Sequence, residues 1–345
     1  MILRSKTVLQ NIWPVKREKN PLKKRKQNKT LTEDGPAAKK VFKNEITTCT
    51  ENKSEEKKVH KEFEFDFDSE ESQNIESVSE YAMDIFKYYK SRELKFRVSH
   101  YIPNHPELSV KARTIAIDWL VGVHGKFSMN DETLYGSVKL MDLYLTKTTK
   151  ISIKDLQKIA CCAFFIATKF QERYSPSIDD LIYLSGDDFT RDEFVKMEQD
   201  MLKAIGFDIG APLGCCFLGR LARVTRVGSF EHTLAKYILE TTLLNYEFSL
   251  ISSSRMASSC FMLAMKMVNS KFVWGDVLVK YSGYDVDDLK PLLPKINHTL
   301  HSVKKSPLRH ILDKYLSKKF YNVAKIAHFP DTMAPDFVLP EMSSS

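Results

Sequence analysis

From Ile75 onward apolar residues recur every three or four positions, and almost nothing alternates with the period of two that a strand requires. The spacing predicts a leading amphipathic helix in EYAMDIFKYYKSREL, with Tyr81, Ile85, Tyr88 and Tyr89 along one face, broken at Pro103 and Pro106. Five helical stretches follow, over 109–127, 131–145, 152–170, 177–184 and 190–205. Ser109, Ser152, Ser177 and Thr190 stand where N-caps belong, and Gly206 where a helix stops. After a linker punctuated by Gly210, Pro212 and Gly214, the plan repeats over 215–223, 230–248, 252–268, 274–281 and 286–303. Pro307 opens a final helix to about 321, and an irregular tail closes the chain.

The repetition is visible in individual residues. At an offset of ninety-seven positions, Ala160 meets Ala257, Phe164 meets Phe261, Ala167 meets Ala264 and Lys169 meets Lys266. Small residues at helical spacing among large apolar ones describe a rod packed on nearly every side. The expected fold is therefore all-α, with one helical unit used twice. Such a platform is suited to holding another macromolecule.

Composition and charge add an N-terminal segment of different character. At 345 residues, 43% apolar and 28% charged, the chain is long enough for about two domains and an extra piece. Residues 1–62 hold 17 Lys/Arg against 8 Asp/Glu, whereas 63–80 hold 7 acidic residues and no basic one. Residues 1–74 are expected to be a disordered regulatory tail, because few large apolar side chains are present to offset the entropy of ordering. In it, Lys23, Lys24, Arg25 and Lys26 after Pro21 form a basic cluster of the kind a nuclear import receptor grips. The acidic aromatic stretch FEFDFD, 63–68, is expected to be a linker or a peptide-docking motif. No run approaches the roughly 20 apolar residues of a membrane span, and no leader pattern is seen, so a nuclear location with a cytoplasmic pool is expected. Cys161/Cys162, Cys215/Cys216, Cys260 and Cys49 lack metal-type spacing and are expected to be free thiols, most of them buried, with neither metal nor cofactor.

Several motifs now carry a resemblance. KARTIAIDWLVGVHGKF, ETLYGSVKLMDLYL, LQKIACCAFFIATKFQERYSP and FVKMEQDMLKAIGFDIGAPL, in that order, resemble the cyclin box, and HTLAKYILETTLLNYEF resembles the second box of mitotic cyclins. VHGKF, the tyrosine-rich leading helix and HTLAKY look like the B type. The resemblance implies two tandem five-helix cyclin boxes, 75–208 (with the leading helix) and 209–325, before a tail at 326–345. It implies a regulatory subunit that binds and activates a mitotic cyclin-dependent kinase as a heterodimer, helps select its substrates and promotes G2/M progression, without being an enzyme itself.

Carried over by position, the resemblance places the kinase contact at Lys169 and Glu198, with Ile166, Phe170, Leu202, Phe207 and Ile209 as its apolar seat. It makes Arg113 and Asp142 a buried structural pair. A surface that docks substrate and inhibitor peptides is only partly kept: Ile115, Trp119 and Gln157 fit it, but Ala112, Ala116 and Gly122 replace a methionine, a leucine and a glutamate. Weak or altered docking is expected. Arg220, His232 and Lys236, with Arg223 nearby, resemble a phosphate pocket whose usual arginine falls on Gly219, and a basic solvated face describes them equally well. RSKTVLQN, 4–11, approximates a destruction signal for ubiquitin ligase machinery, with Thr7 where leucine belongs.

Two other classes compete. No glycine-rich phosphate loop, activated nucleophile or metal cluster is legible, which argues against an enzyme. A transcription or nucleic-acid-binding adaptor built from cyclin-like boxes is the alternative reading. Its basic residues lack interleaved aromatics for base stacking, so no direct nucleic-acid contact is expected, and no membrane contact either.

Overall fold

The computed structural model describes residues 66–326 and 329–330. Among them every regular element is helical. A leading helix α1 (Ser79–Arg92) precedes five helices: α2 (Val110–Phe127), α3 (Asp131–Lys147), α4 (Leu156–Gln171), α5 (Ile178–Ser185) and α6 (Arg191–Ile205). Five more follow: α7 (Gly214–Val224), α8 (Ser229–Thr242), α9 (Ser253–Val268), α10 (Asp276–Ser282) and α11 (Leu293–Lys305), and α12 (His310–Tyr315) closes the fold.

The caps explain most boundaries. The Ser109 hydroxyl accepts from the Ala112 N–H, while Ser177 with Asp180 and Thr190 with Glu193 form reciprocal capping boxes. Ser152 caps a single 3-10 turn, Ile153–Asp155, which leads into α4. The predicted helix over 230–248 is divided, because α8 stops at Thr242 and one turn, Tyr246–Ser249, restarts behind an Asn245 cap. The stretch 286–303 likewise divides at a 3-10 turn, Lys290–Leu292, which carries Pro291 and so lacks one amide donor.

α4 and α9 are the central rods the repeat predicted. Ile159, Ala160, Ala163 and Phe164 are sealed in one box, and Ala257, Cys260, Phe261 and Ala264 in the other. Alanine, cysteine and serine let neighbouring backbones approach while phenylalanine fills the space between them.

The N-terminal boundary needs correction. Residues 67–73, expected to lie in the tail that ends at 74, fold into a helical turn Phe67–Glu70 and a 3-10 turn Glu71–Gln73, and a second 3-10 turn, Ile75–Ser77, leads into α1. Neither linker nor docking motif describes residues 67 and 68. Phe67 is buried, its N–H donates to the Tyr281 hydroxyl at 3.0 Å, and Asp68 pairs with Arg220 on α7. Arg223 lies 3.6 Å from Glu71, and Arg226 pairs with Glu70. The acidic stretch read from composition is thus a strap laid across an arginine ladder spaced one residue in three. The basic cluster 23–26 and the sequence 4–11 fall outside the described residues.

The boxes are joined by polar contacts as well as packing. Glu93, just past α1, caps α9: its carboxylate accepts from the Ser254 N–H and hydroxyl, each at 2.7 Å. Helix α12 reaches both boxes, since His310 binds Asp118 on α2 while Lys314 and the Tyr315 hydroxyl donate to Glu240 on α8.

Candidate functional site

Lys169 closes α4 and Glu198 lies midway along α6, and packing of these helices brings the two side chains into an ion pair. The pair faces outward: Lys169 is 42% exposed, and its ammonium also lies 4.3 Å from the Phe165 ring centroid. Glu198 is more recessed, at 14%. A lysine in the last turn complements the helix dipole, and here it also places a donor and an acceptor side by side on one surface.

Around them stands exposed apolar surface that the core does not claim. Phe170 is 52% exposed and Phe207 is 67% exposed, with Leu202 and Ile209 half-buried beside them. Phe207 owes its position to the end of α6. Gly206 (φ 73°) and Phe207 (φ 60°) are consecutive left-handed residues whose N–H groups return to the Lys203 and Leu202 carbonyls. Glycine accepts this conformation freely, whereas a large side chain there stores about 1–3 kcal/mol of strain. The hydrogen-bonded helix end holds this turn in place and leaves an aromatic ring out in solvent, an arrangement suited to insertion into a partner. Ile166 corrects the expectation: at 2% exposure it packs inward from α4 and supports the seat from below.

The Arg113–Asp142 pair that the resemblance implied is present, bidentate at 2.8 and 2.7 Å and buried. It is part of a larger network. The Tyr101 hydroxyl donates to Asp142 at 2.7 Å, and Arg113 also donates to the Leu243 carbonyl of the second box at 3.0 Å. Burial opposes the charge on Arg113, but Asp142 outweighs it and its pKa lies above the ordinary value, while burial and Asp142 push the Tyr101 phenol up.

At the docking patch, Ala112, Ile115, Ala116 and Gln157 are buried, and Trp119 is only half-buried. Gln157 is turned inward, its amide 3.4 Å from the Ser185 carbonyl. Where a glutamate would stand, the absence of a side chain at Gly122 admits the His310 ring; a Cβ there would lie 2.9 Å from it. The alanines at 112 and 116 leave no large side chain to form a pocket there, and Asp118, next to Trp119 on α2, is buried and engaged by His310 at 2.7 Å.

The phosphate cluster is not assembled. Arg220 is buried against Asp68 and the rings of Phe67, Phe86 and Tyr281. Lys236 pairs with Asp131 of the first box at 2.6 Å. His232 Nε2 is buried without a partner among the described residues, and burial with Lys236 nearby holds its pKa below the usual imidazole range. The sequence missed this division because the acidic partners, Asp68 152 residues from Arg220 and Asp131 105 residues from Lys236, leave no local signal. Of the cysteines, Cys161, Cys162 and Cys260 are buried as expected, whereas Cys215 and Cys216 are half-buried, with Glu132 within 4.8 Å.

Residues 84–210 match the cyclin N-terminal domain and residues 212–329 the cyclin C-terminal domain. The chain is 45% identical over 273 residues to the G2/mitotic-specific cyclin-B3 of Caenorhabditis elegans, covering 78% of this chain and 71% of that one. It is 39% identical to the Drosophila melanogaster cyclin-B3 (76% of this chain, 46% of that one) and 38% identical to the Homo sapiens cyclin-B3 (71% and 18%). A viral cyclin from herpesvirus saimiri shares the fold with a TM-score of 0.55 at 23% identity, covering 62% of this chain and 97% of that one. Two matched domains in tandem, with cyclin-B3 relatives across both, show that the chain belongs to the cyclin family as a B-type cyclin.

Proposed function

We propose that the chain is the regulatory subunit of a mitotic cyclin-dependent kinase, binding and activating that serine/threonine kinase in a heterodimer and promoting G2/M progression. The observation that carries the reading is the outward Lys169–Glu198 pair set among exposed Phe170 and Phe207. One donor and one acceptor on a nonpolar seat suit the end of a partner helix, whose terminal backbone groups lack intrahelical partners.

In the partner kinase, docking there would press the mobile αC helix inward, so that its glutamate pairs with the lysine that holds the ATP phosphates. Interface energy would shift the kinase toward its active state. This chain performs no phosphoryl transfer in that scheme. Selection of substrates and inhibitors through the α2 patch would be weak, in keeping with its buried alanines, the His310 ring over Gly122 and the engagement of Asp118. The 23–26 cluster would engage an import receptor and give a nuclear location with a cytoplasmic pool, and the 4–11 element would serve ubiquitin ligase machinery.

The test is capture of kinase from dividing-cell extract on the immobilised full chain, with histone phosphorylation measured in the eluate. Lys169→Ala/Glu198→Ala should lose both, by roughly a hundredfold or more in affinity, as expected for removal of two charge-assisted hydrogen bonds. Equal kinase activity from wild type and the folded double variant would sink the reading.

A further inference from the structure

Helix α3, the end of α1, the 210–214 linker and the start of α9 enclose a cavity of about 460 Å³ that neither the kinase seat nor the α2 patch uses. Four cations, Lys90, Arg97, Lys139 and Arg255, line it against a single carboxylate, Glu93. That carboxylate is already engaged in capping α9. Lys90 donates to the Ser282 carbonyl and Arg255 to the Asp288 carbonyl, so each of these cations is oriented by a backbone oxygen.

Lys139 and Arg97 have no hydrogen-bond or ion-pair partner among the described residues. Lys139 projects from α3 at the junction of this cavity with a smaller void of about 70 Å³. Asp142, one turn along α3, does not serve it, because both its oxygens are taken by Arg113 and Tyr101. A half-buried ammonium with no hydrogen-bond partner is costly unless something arrives to neutralise it, and burial draws the pKa of Lys139 down against the opposing charges of Asp142 and Glu93. Arg97, by contrast, is exposed and stands at the mouth.

We propose that this inter-box cavity is an oxyanion site for a phosphate monoester, with Lys139 as its floor, Arg97 as a mobile arm, and Lys90 and Arg255 as flanking charge. The volume suits a phosphorylated side chain or a small organophosphate. A phosphate monoester brings close to two negative charges and three acceptor oxygens, matching an excess of cations and the hydroxyls of Ser249, Ser252 and Ser253 on the wall. The site is separate from the divided Arg220/His232/Lys236 cluster, none of whose members lines it.

The experiment is a titration of the purified full chain, by calorimetry and by thermal melting, with inorganic phosphate, phosphoserine, and a phosphoserine peptide beside its unphosphorylated form, at constant ionic strength set with chloride. Wild type should bind one phosphate group per chain and melt higher in its presence. Lys139→Met should melt at or above the unliganded wild type, because a half-buried charge with no hydrogen-bond partner is gone, and should bind roughly ten- to hundredfold more weakly. Arg97→Ala, a surface change that leaves folding intact, should weaken binding in the same direction. Tighter binding of the phosphopeptide than of phosphoserine assigns the source to a protein partner, and equal binding assigns it to small organophosphates. Absence of any phosphate-specific effect in wild type, or an effect unchanged by Lys139→Met and Arg97→Ala, overturns the proposal.

Discussion

The two boxes share a helical plan, and at the same offset that aligns their central rods Lys169 corresponds to Lys266. Their surfaces differ. In the first box the lysine pairs with Glu198 and is flanked by exposed Phe170; in the second, Lys266 has no ion-pair or hydrogen-bond partner among the described residues, and the position aligned with Glu198 is Lys295. The central rod is constrained in both by close packing of small residues, so it survives duplication nearly unchanged. The rod's end, facing solvent, is free to acquire recognition chemistry in one copy alone.

The largest effect that would break the comparison concerns what joins the boxes. Arg113→Ala should destabilise the protein by about 3–5 kcal/mol, because it leaves Asp142 charged and buried and also removes the bond to Leu243 of the second box; chemical denaturation followed by helical signal measures this. Next, Phe207→Gly should relieve the left-handed strain at a similar entropic cost, leaving stability within about 1 kcal/mol. Kinase capture should nevertheless fall roughly tenfold or more for loss of an aromatic anchor, as read by surface-immobilised binding.

A smaller, pH-dependent effect separates two histidines. The hydrogen bond to Asp118 raises the pKa of His310 against opposing burial, with Asp118 and Asp313 favouring the charge and Lys126 disfavouring it. Its folded value exceeds the unfolded value near 6.5, so its stabilisation is complete below that pH and is lost as pH rises through the folded value. His232 has the opposite sign. Its folded pKa is lowered by burial and Lys236, so its contribution is present above pH 6.5 and is lost as pH falls. In melts across this range the gap between wild type and Asp118→Asn should be widest at the acid end and narrow toward the alkaline end. Last, Lys266→Ala should change kinase capture by less than about twofold, the smallest of these effects, because this half-buried lysine has no ion-pair or hydrogen-bond partner among the described residues. A large loss there would mean that the second box also docks the kinase.

Much of this was legible from residues near one another in sequence. Ser109, Ser177 and Thr190 cap the helices they precede, and the small-residue rods are buried as their spacing implied. The Lys169–Glu198 pairing came from family resemblance, while its outward attitude needed the packing of α4 on α6. Other features were hidden by distance along the chain. The strap from Asp68 to Glu71 looked like a charged linker because its arginine partners are about 150 residues away. Ile166 looked like an interface residue because periodicity does not tell which side of a nearly fully buried rod still meets solvent. The partnerless state of Lys139 was equally invisible, since it depends on Arg113 and Tyr101 claiming the carboxylate one turn away.

The clasp between His310 and Asp118 spans 192 residues. On a ribosome adding about 5–20 residues per second, roughly 10–40 s separate the synthesis of these two partners. For that interval the newborn first box exists with its α2 face unsealed. Any chaperone or binding protein that samples this surface during synthesis meets a molecule different from the finished one, and completion of translation acts as the event that closes it.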